Sequence, residues 1–182
     1  MAAYISRFYN SVMKKLLLVL CASLVLILAP LVGKPHEWTN KQESLVLSHN
    51  GITDLSPLAG LTSLKTLNLW ENQVTDLTPL AGLTNLTEMT LDYNQITDLT
   101  PLAGLTNLAE MTLSSNKISD VSPLAGLTKL ESLTLRSNNI TDLSPLKGLT
   151  KLMKLSLQRN PIPEDQKAML KKALPDCKIN FD

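Results

Sequence analysis

Six asparagines, Asn50, Asn72, Asn94, Asn116, Asn138 and Asn160, follow one another at intervals of 22 residues. A fixed period of this length means one structural unit written repeatedly, and it governs how every local motif is interpreted. Ahead of each asparagine stands a run such as LKTLNLWEN, LTEMTLDYN or LMKLSLQRN. Within LKTLNLW, Leu67 and Leu69 alternate with Thr66, Asn68 and Trp70, the period-two pattern of a short strand with one buried face. A strand this short cannot bury that face alone. Stacked on copies of itself every ~4.8 Å it forms a parallel sheet, with inward residues from Leu45 and Leu47 through to Leu155 and Leu157 making a continuous core. Met89 and Met111 take the first inward place in the third and fourth copies. Each asparagine falls where the chain leaves the strand. Its amide is suited to bond backbone groups of its own and the neighbouring turn, so the six are assigned a structural role.

The register L-x-x-L-x-L-x-x-N, followed two residues later by Ile or Val, is that of leucine-rich repeats. In detail, GLTNLTEMTLDYNQITDLTPLAGLTNL resembles the internalin type of bacterial cell-surface repeat, and the resemblance runs from Gln42 to about Ile162. It implies an α/β repeat solenoid: six repeats over residues 42–162, a parallel concave β-sheet, and short 3₁₀ or helical turns on the convex side. Internalins carry a helical cap ahead of the first repeat. Here only residues 34–41 separate it from the preceding apolar segment, leaving Trp38 and the polar Gln42 to protect that edge.

Between strands the chain spells ITDLSPLAGLT, with close variants starting at Val74, Ile96, Ile118 and Ile140. Ser56, Thr78, Thr100, Ser122 and Ser144 each precede a proline, which suggests an N-cap followed by proline at the first helical position. Gly60, Gly82, Gly104, Gly126 and Gly148 follow three residues after each proline, as stops in the left-handed conformation. Asp54, Asp76, Asp98, Asp120 and Asp142 are turn residues that accept local backbone bonds. One carboxylate per repeat is a poor match for calcium, which takes six to eight oxygens. The motif therefore turns corners and is not a repeated active site.

A net charge of +1 gives no reason to propose nucleic acid as a partner. His36, His49, Cys21 and Cys177 would form a four-ligand zinc site only if all four converged, so no metal or cofactor is assigned. No phosphate loop, nucleophile elbow or histidine-centred triad is present, and no catalytic role is expected. The sequons Asn85-Leu86-Thr87 and Asn139-Ile140-Thr141 lie off the marker positions.

Residues 16–32, LLLVLCASLVLILAPLV, carry no charge and follow Lys14-Lys15. That is the arrangement of an export signal, and at ~1.5 Å per helical residue the segment is slightly short of a bilayer core. Residues 1–33 are accordingly expected to be an export signal or an N-terminal membrane anchor, with residues 1–12 a candidate extension ahead of Met13. Either form places the repeats outside the cytoplasm, extracellular or periplasmic, and membrane contact would come only through residues 16–32 if uncleaved. Leu20 ahead of Cys21 argues against lipid attachment. At the other end, residues 163–182 are expected to form a cap. Glu164 and Asp165 suit a helix N-terminus and Lys171 and Lys172 its C-terminus, followed by a strand in which Cys177, Ile179 and Phe181 point inward, with Cys177 in the core.

Partner recognition is expected on the concave face, where residues between the leucines point outward. The candidates are Trp70, Glu88, Thr90, Asp92, Tyr93, Glu110, Thr112, Arg136 and Lys154. Acidic residues cluster toward the middle beside Trp70 and Tyr93, taken as exposed anchors, and basic residues toward the C-terminal end. The expectation is a non-enzymatic module that binds an unidentified protein. A rigid envelope spacer and a glycan-binding surface are the alternatives.

Overall fold

The computed structural model describes residues 43–182. The expectations for the leader, Cys21, the linker, His36, Trp38 and Gln42 lie outside them. Seven strands, β1 (Ser44–Val46), β2 (Thr66–Asn68), β3 (Glu88–Thr90), β4 (Glu110–Thr112), β5 (Ser132–Thr134), β6 (Lys154–Ser156) and β7 (Lys178–Asn180), form one sheet in sequence order. Every neighbouring pair is parallel and in register, Leu67 opposite Met89, Met89 opposite Met111, Met111 opposite Leu133. The repeat solenoid expected from the spacing is therefore the observed fold. The alternation explains it: Leu67, Met89, Met111, Leu133 and Leu155 are buried, and so are Leu69, Leu91, Leu113, Leu135 and Leu157. Leu45, in the first described strand, is only half-buried.

Five 3₁₀ turns, Ser56–Leu58, Thr78–Leu80, Thr100–Leu102, Ser122–Gly126 and Ser144–Gly148, line the convex side. Two expectations about them are corrected. The Ser or Thr is the first helical residue, not the cap, and makes no capping bond from its side chain. The capping acceptor is the aspartate two residues earlier: Asp76 Oδ1 accepts the Thr78 N–H at 2.8 Å, and Asp98 that of Thr100 at 2.8 Å. A carboxylate at that offset reaches the first orphaned N–H, and the proline that follows has none to satisfy. Of the five glycines, only Gly60 is left-handed, at φ 89°. Gly126 and Gly148 instead end their 3₁₀ turns, which are closed by Leu127 (φ −83°, ψ 56°) and Leu149 (φ −83°, ψ 59°) turning into the core.

The left-handed positions lie elsewhere. His49, Glu71, Tyr93, Ser115, Ser137 and Arg159, each just before a marker asparagine, have φ between 52° and 58°. The asparagines hold this turn. Asn94 Nδ2 donates to the carbonyls of Leu69 at 3.0 Å and Leu91 at 3.1 Å, and its Oδ1 accepts the Val74 N–H at 2.9 Å. Asn72, Asn116, Asn138 and Asn160 repeat the pattern, each tying its own turn to the previous repeat.

The C-terminal segment forms helix α1 (Glu164–Ala173) followed by β7, which adds to β6. Leu170 and Leu174 are buried, and Gln166 Oε1 accepts the Leu143 N–H at 3.0 Å, docking α1 against the last convex turn. Cys177 is half-buried, not a core residue, because β7 is the outer strand and is covered on one side only. Burial nonetheless pushes its thiol pKa up. Among the described residues, no helix is long and apolar enough to cross a membrane.

Candidate functional site

The register brings the candidate residues into columns across the outward face of the sheet. Glu88 lies opposite Glu110, and Thr90 opposite Thr112. Lys154 lies opposite Lys178, so β7 extends the basic end by one further charge. Glu88, Glu110, Arg136, Lys154 and Arg159 are exposed. Tyr93 is 54% exposed, and Val46, an outward residue not among the candidates, 57%.

The side chains differ from the sequence expectation in two ways. Trp70 is half-buried, not exposed. Its ring packs at right angles to His49, with centroids 4.1 Å apart, and to Tyr93 at 6.1 Å, so it forms the middle of an aromatic row along the rim. His49 also pairs with Glu71, Nδ1 to Oε2 at 3.1 Å, and belongs to this row although its chemistry gave no hint of it. The only sequence signal was position: His49, Glu71 and Tyr93 occupy one column 22 residues apart. Their left-handed backbone makes that column the lip of the sheet.

Asp92 is the second departure. Its Oδ2 accepts the Thr112 hydroxyl, and its Oδ1 accepts the Ser114 N–H at 2.7 Å. The carboxylate braces β3 against β4 and is not a free charge offered to a partner. Asn68 Oδ1 likewise accepts the Trp70 N–H at 2.9 Å. Thr90, Thr112 and Thr134 form a half-buried ladder between the charged columns. On the opposite edge, the sequon residue Asn85 donates its amide to the Thr62 carbonyl at 2.8 Å.

On the convex side the capping aspartates are held below the ordinary carboxylate range. For Asp54, Asp76 and Asp98 the leading cause is the hydroxyl of the following Ser or Thr, then its backbone N–H; for Asp142 the backbone bond leads. These are local turn bonds. Among the described residues no three of His, Cys, Asp or Glu converge to hold a metal ion.

The family described as leucine-rich repeats in two copies matches residues 43–82, 84–126, 106–148 and 128–167. Among solved structures, internalin C2 of Listeria monocytogenes is 43% identical over 76% of this chain and 60% of that one, with a TM-score of 0.70. A leucine-rich repeat protein of Leptospira interrogans is 33% identical over 81% of this chain and 39% of that one, TM-score 0.74. A second Listeria internalin, inlF, is 30% identical over 79% and 48%, TM-score 0.63. The chain thus spans less than two thirds of each of these structures. No curated protein matches it.

Proposed function

Because the chain belongs to the leucine-rich repeat family, with repeats of the internalin kind, we propose that it is an exported, non-enzymatic module that binds another protein through its concave face. The observation that carries this reading is the aromatic row. Inward positions are apolar throughout, and Asn72, Asn94, Asn116, Asn138 and Asn160 share one bonding pattern, so the skeleton is nearly the same from repeat to repeat. The outward columns carry the differences in charge and aromatic content, and there Tyr93 stands 54% exposed beside Trp70 at the rim, with Glu88 and Glu110 at the starts of β3 and β4 and Arg136, Lys154 and Arg159 toward the C-terminal end. An aromatic anchor flanked by charges is the usual composition of an interface hot spot. Solenoid repeats present such faces for partner recognition.

Export is supported by the uncharged run of residues 16–32 behind Lys14 and Lys15. A reporter fused after Asp182 should be exported, and should stay cytoplasmic once residues 16–32 are deleted.

The test of binding is capture of an envelope or host protein on the immobilised chain. Trp70 is half-buried and its removal would disturb the row, so Tyr93→Ala is the cleaner probe. Tyr93→Ala should speed dissociation of the captured partner, and charge reversal at Glu110 should mainly slow association. Binding that survives both changes but is lost on convex ones would reject the concave face as the site.

A further inference from the structure

The charges on the concave face are ordered: Glu88 and Glu110 on β3 and β4, then Arg136 just past β5, Lys154 on β6 with Arg159 beyond its end, and Lys178 on β7. A partner matching this face must carry the opposite order along the same line. We infer that a second copy of this chain, docked with its strand order reversed, is such a partner; the inference rests on the concave face being the binding surface.

A symmetric face-to-face pair has its two-fold axis in the plane of contact. An axis running along the solenoid lays each strand on its own copy with direction reversed. Glu88, at the start of β3, then meets the Asp92 side of the same strand in the partner, acid against acid. An axis running along the strands gives a different result. Set between β4 and β5, it lays β4 on β5, β3 on β6 and β2 on β7, keeping each residue at its own height along the strand. By the observed register, Glu88 then faces Lys154 and Thr112 faces Thr134. The ladder carries the same heights on to the rim, where the Tyr93 N–H bonds Ser114 and the Ser137 N–H bonds Gln158. Tyr93 therefore faces Arg159, a ring opposite a guanidinium. Glu110 faces the neutral Ser132, one strand (~4.8 Å) from the partner's Lys154. Symmetry makes every contact twice; no two like charges are directly opposed, and the nearest like pairs, Glu110 and Arg136 each with its own copy, lie one strand (~4.8 Å) apart across the axis. Threonines, small and half-buried, occupy the centre, where two concave faces stand furthest apart, so the longer Glu88 and Lys154 side chains on the strands outside it make the contact.

Seven three-residue strands make a small face, so the pairing belongs with weak, salt-sensitive interfaces. The experiment is sedimentation equilibrium of the full chain in one buffer and detergent, at low and high salt. Self-association should appear at low salt and weaken about tenfold or more as salt is raised. Glu88→Lys and Lys154→Glu are exposed changes and should each weaken it by about tenfold or more. The double variant, which restores opposite charges across the axis, should return it to within about threefold of the parent. A chain that stays monomeric at low salt, or association that either single reversal leaves unchanged, overturns the self-pairing. A double variant no tighter than the singles overturns it too. If the chain is monomeric yet a captured protein is lost on Tyr93→Ala, only the self-pairing falls. If association and capture both respond to convex changes such as Thr97→Arg, the concave reading falls with it.

Discussion

Asn94 shows how much one side chain does in this fold. It is buried, and its amide bonds four backbone groups, two of them in the preceding repeat. Removing it leaves those groups unpaired, so Asn94→Ala should cost at least ~2 kcal/mol in urea unfolding. Asn50 is half-buried, and among the described residues its side chain donates only to the Ser48 carbonyl, so Asn50→Ala should cost ~1 kcal/mol or less. The aspartates act at the same scale through pH. Asp76 and Asp98 have folded pKa values below the ordinary 3.8. Their contribution is therefore fully present above about pH 4 and is lost as pH falls through the depressed values. Asparagine keeps the acceptor and loses the proton, so a variant with Asp76→Asn and Asp98→Asn should show a flatter fall in melting temperature below pH 4 than the parent. An unchanged slope would place the acid sensitivity elsewhere.

Within a single repeat, strand and turn respond differently to substitution. Leu113 is fully buried, and Leu113→Ala should cost ~2–5 kcal/mol. Thr112 beside it faces outward but donates its hydroxyl to Asp92, so Thr112→Ala should cost about 1 kcal/mol, more than a free surface threonine would. Equal losses at the two sites would contradict the alternation. In the turns, a Cβ added at Gly104 meets nothing within 4 Å and the backbone is not left-handed, whereas Gly60 sits at φ 89°. Gly104→Ala should therefore raise stability by ~0.4–1 kcal/mol by restricting the unfolded chain, and Gly60→Ala should lower it by ~1 kcal/mol or more. Calorimetry of the pair separates the two cases.

Across the molecule, each repeat touches only its neighbours, so stability is close to a sum of repeat and interface contributions. Deleting residues 95–116 removes one period and joins Asn94 to Lys117 in the same register, which leaves a shorter solenoid with the same ends. Deleting residues 163–182 instead removes α1 and β7, uncovering Leu155, Leu157 and Ile162. The first deletion should lower the melting temperature modestly with cooperative unfolding retained. The second, though slightly shorter, should lower it further and promote aggregation, since an open edge strand over an apolar core is a template for association. A larger loss from the first would mean that the C-terminal segment is not the cap.

What every repeat shares was legible in the sequence, namely the period, the inward leucines, the parallel register and the bonded asparagines, and so were the helix and strand that close the last repeat. Repetition averages away local ambiguity, because an apolar place filled six times over can only be a core position. What differs between repeats was decided by tertiary structure. Asp92 reads as a free carboxylate until β4 is set beside it and supplies Thr112 and Ser114. Trp70 reads as an exposed anchor until His49 and Tyr93 close on its ring, and His49 joins the site only by meeting Glu71. Each of these contacts joins residues about one repeat apart, through rotamers that no single repeat specifies. The left-handed lip had no glycine to announce it, because the bonded asparagine that follows holds the turn and offsets its strain. A periodic chain can thus state its scaffold in one repeat, while its binding face exists only where neighbouring repeats meet.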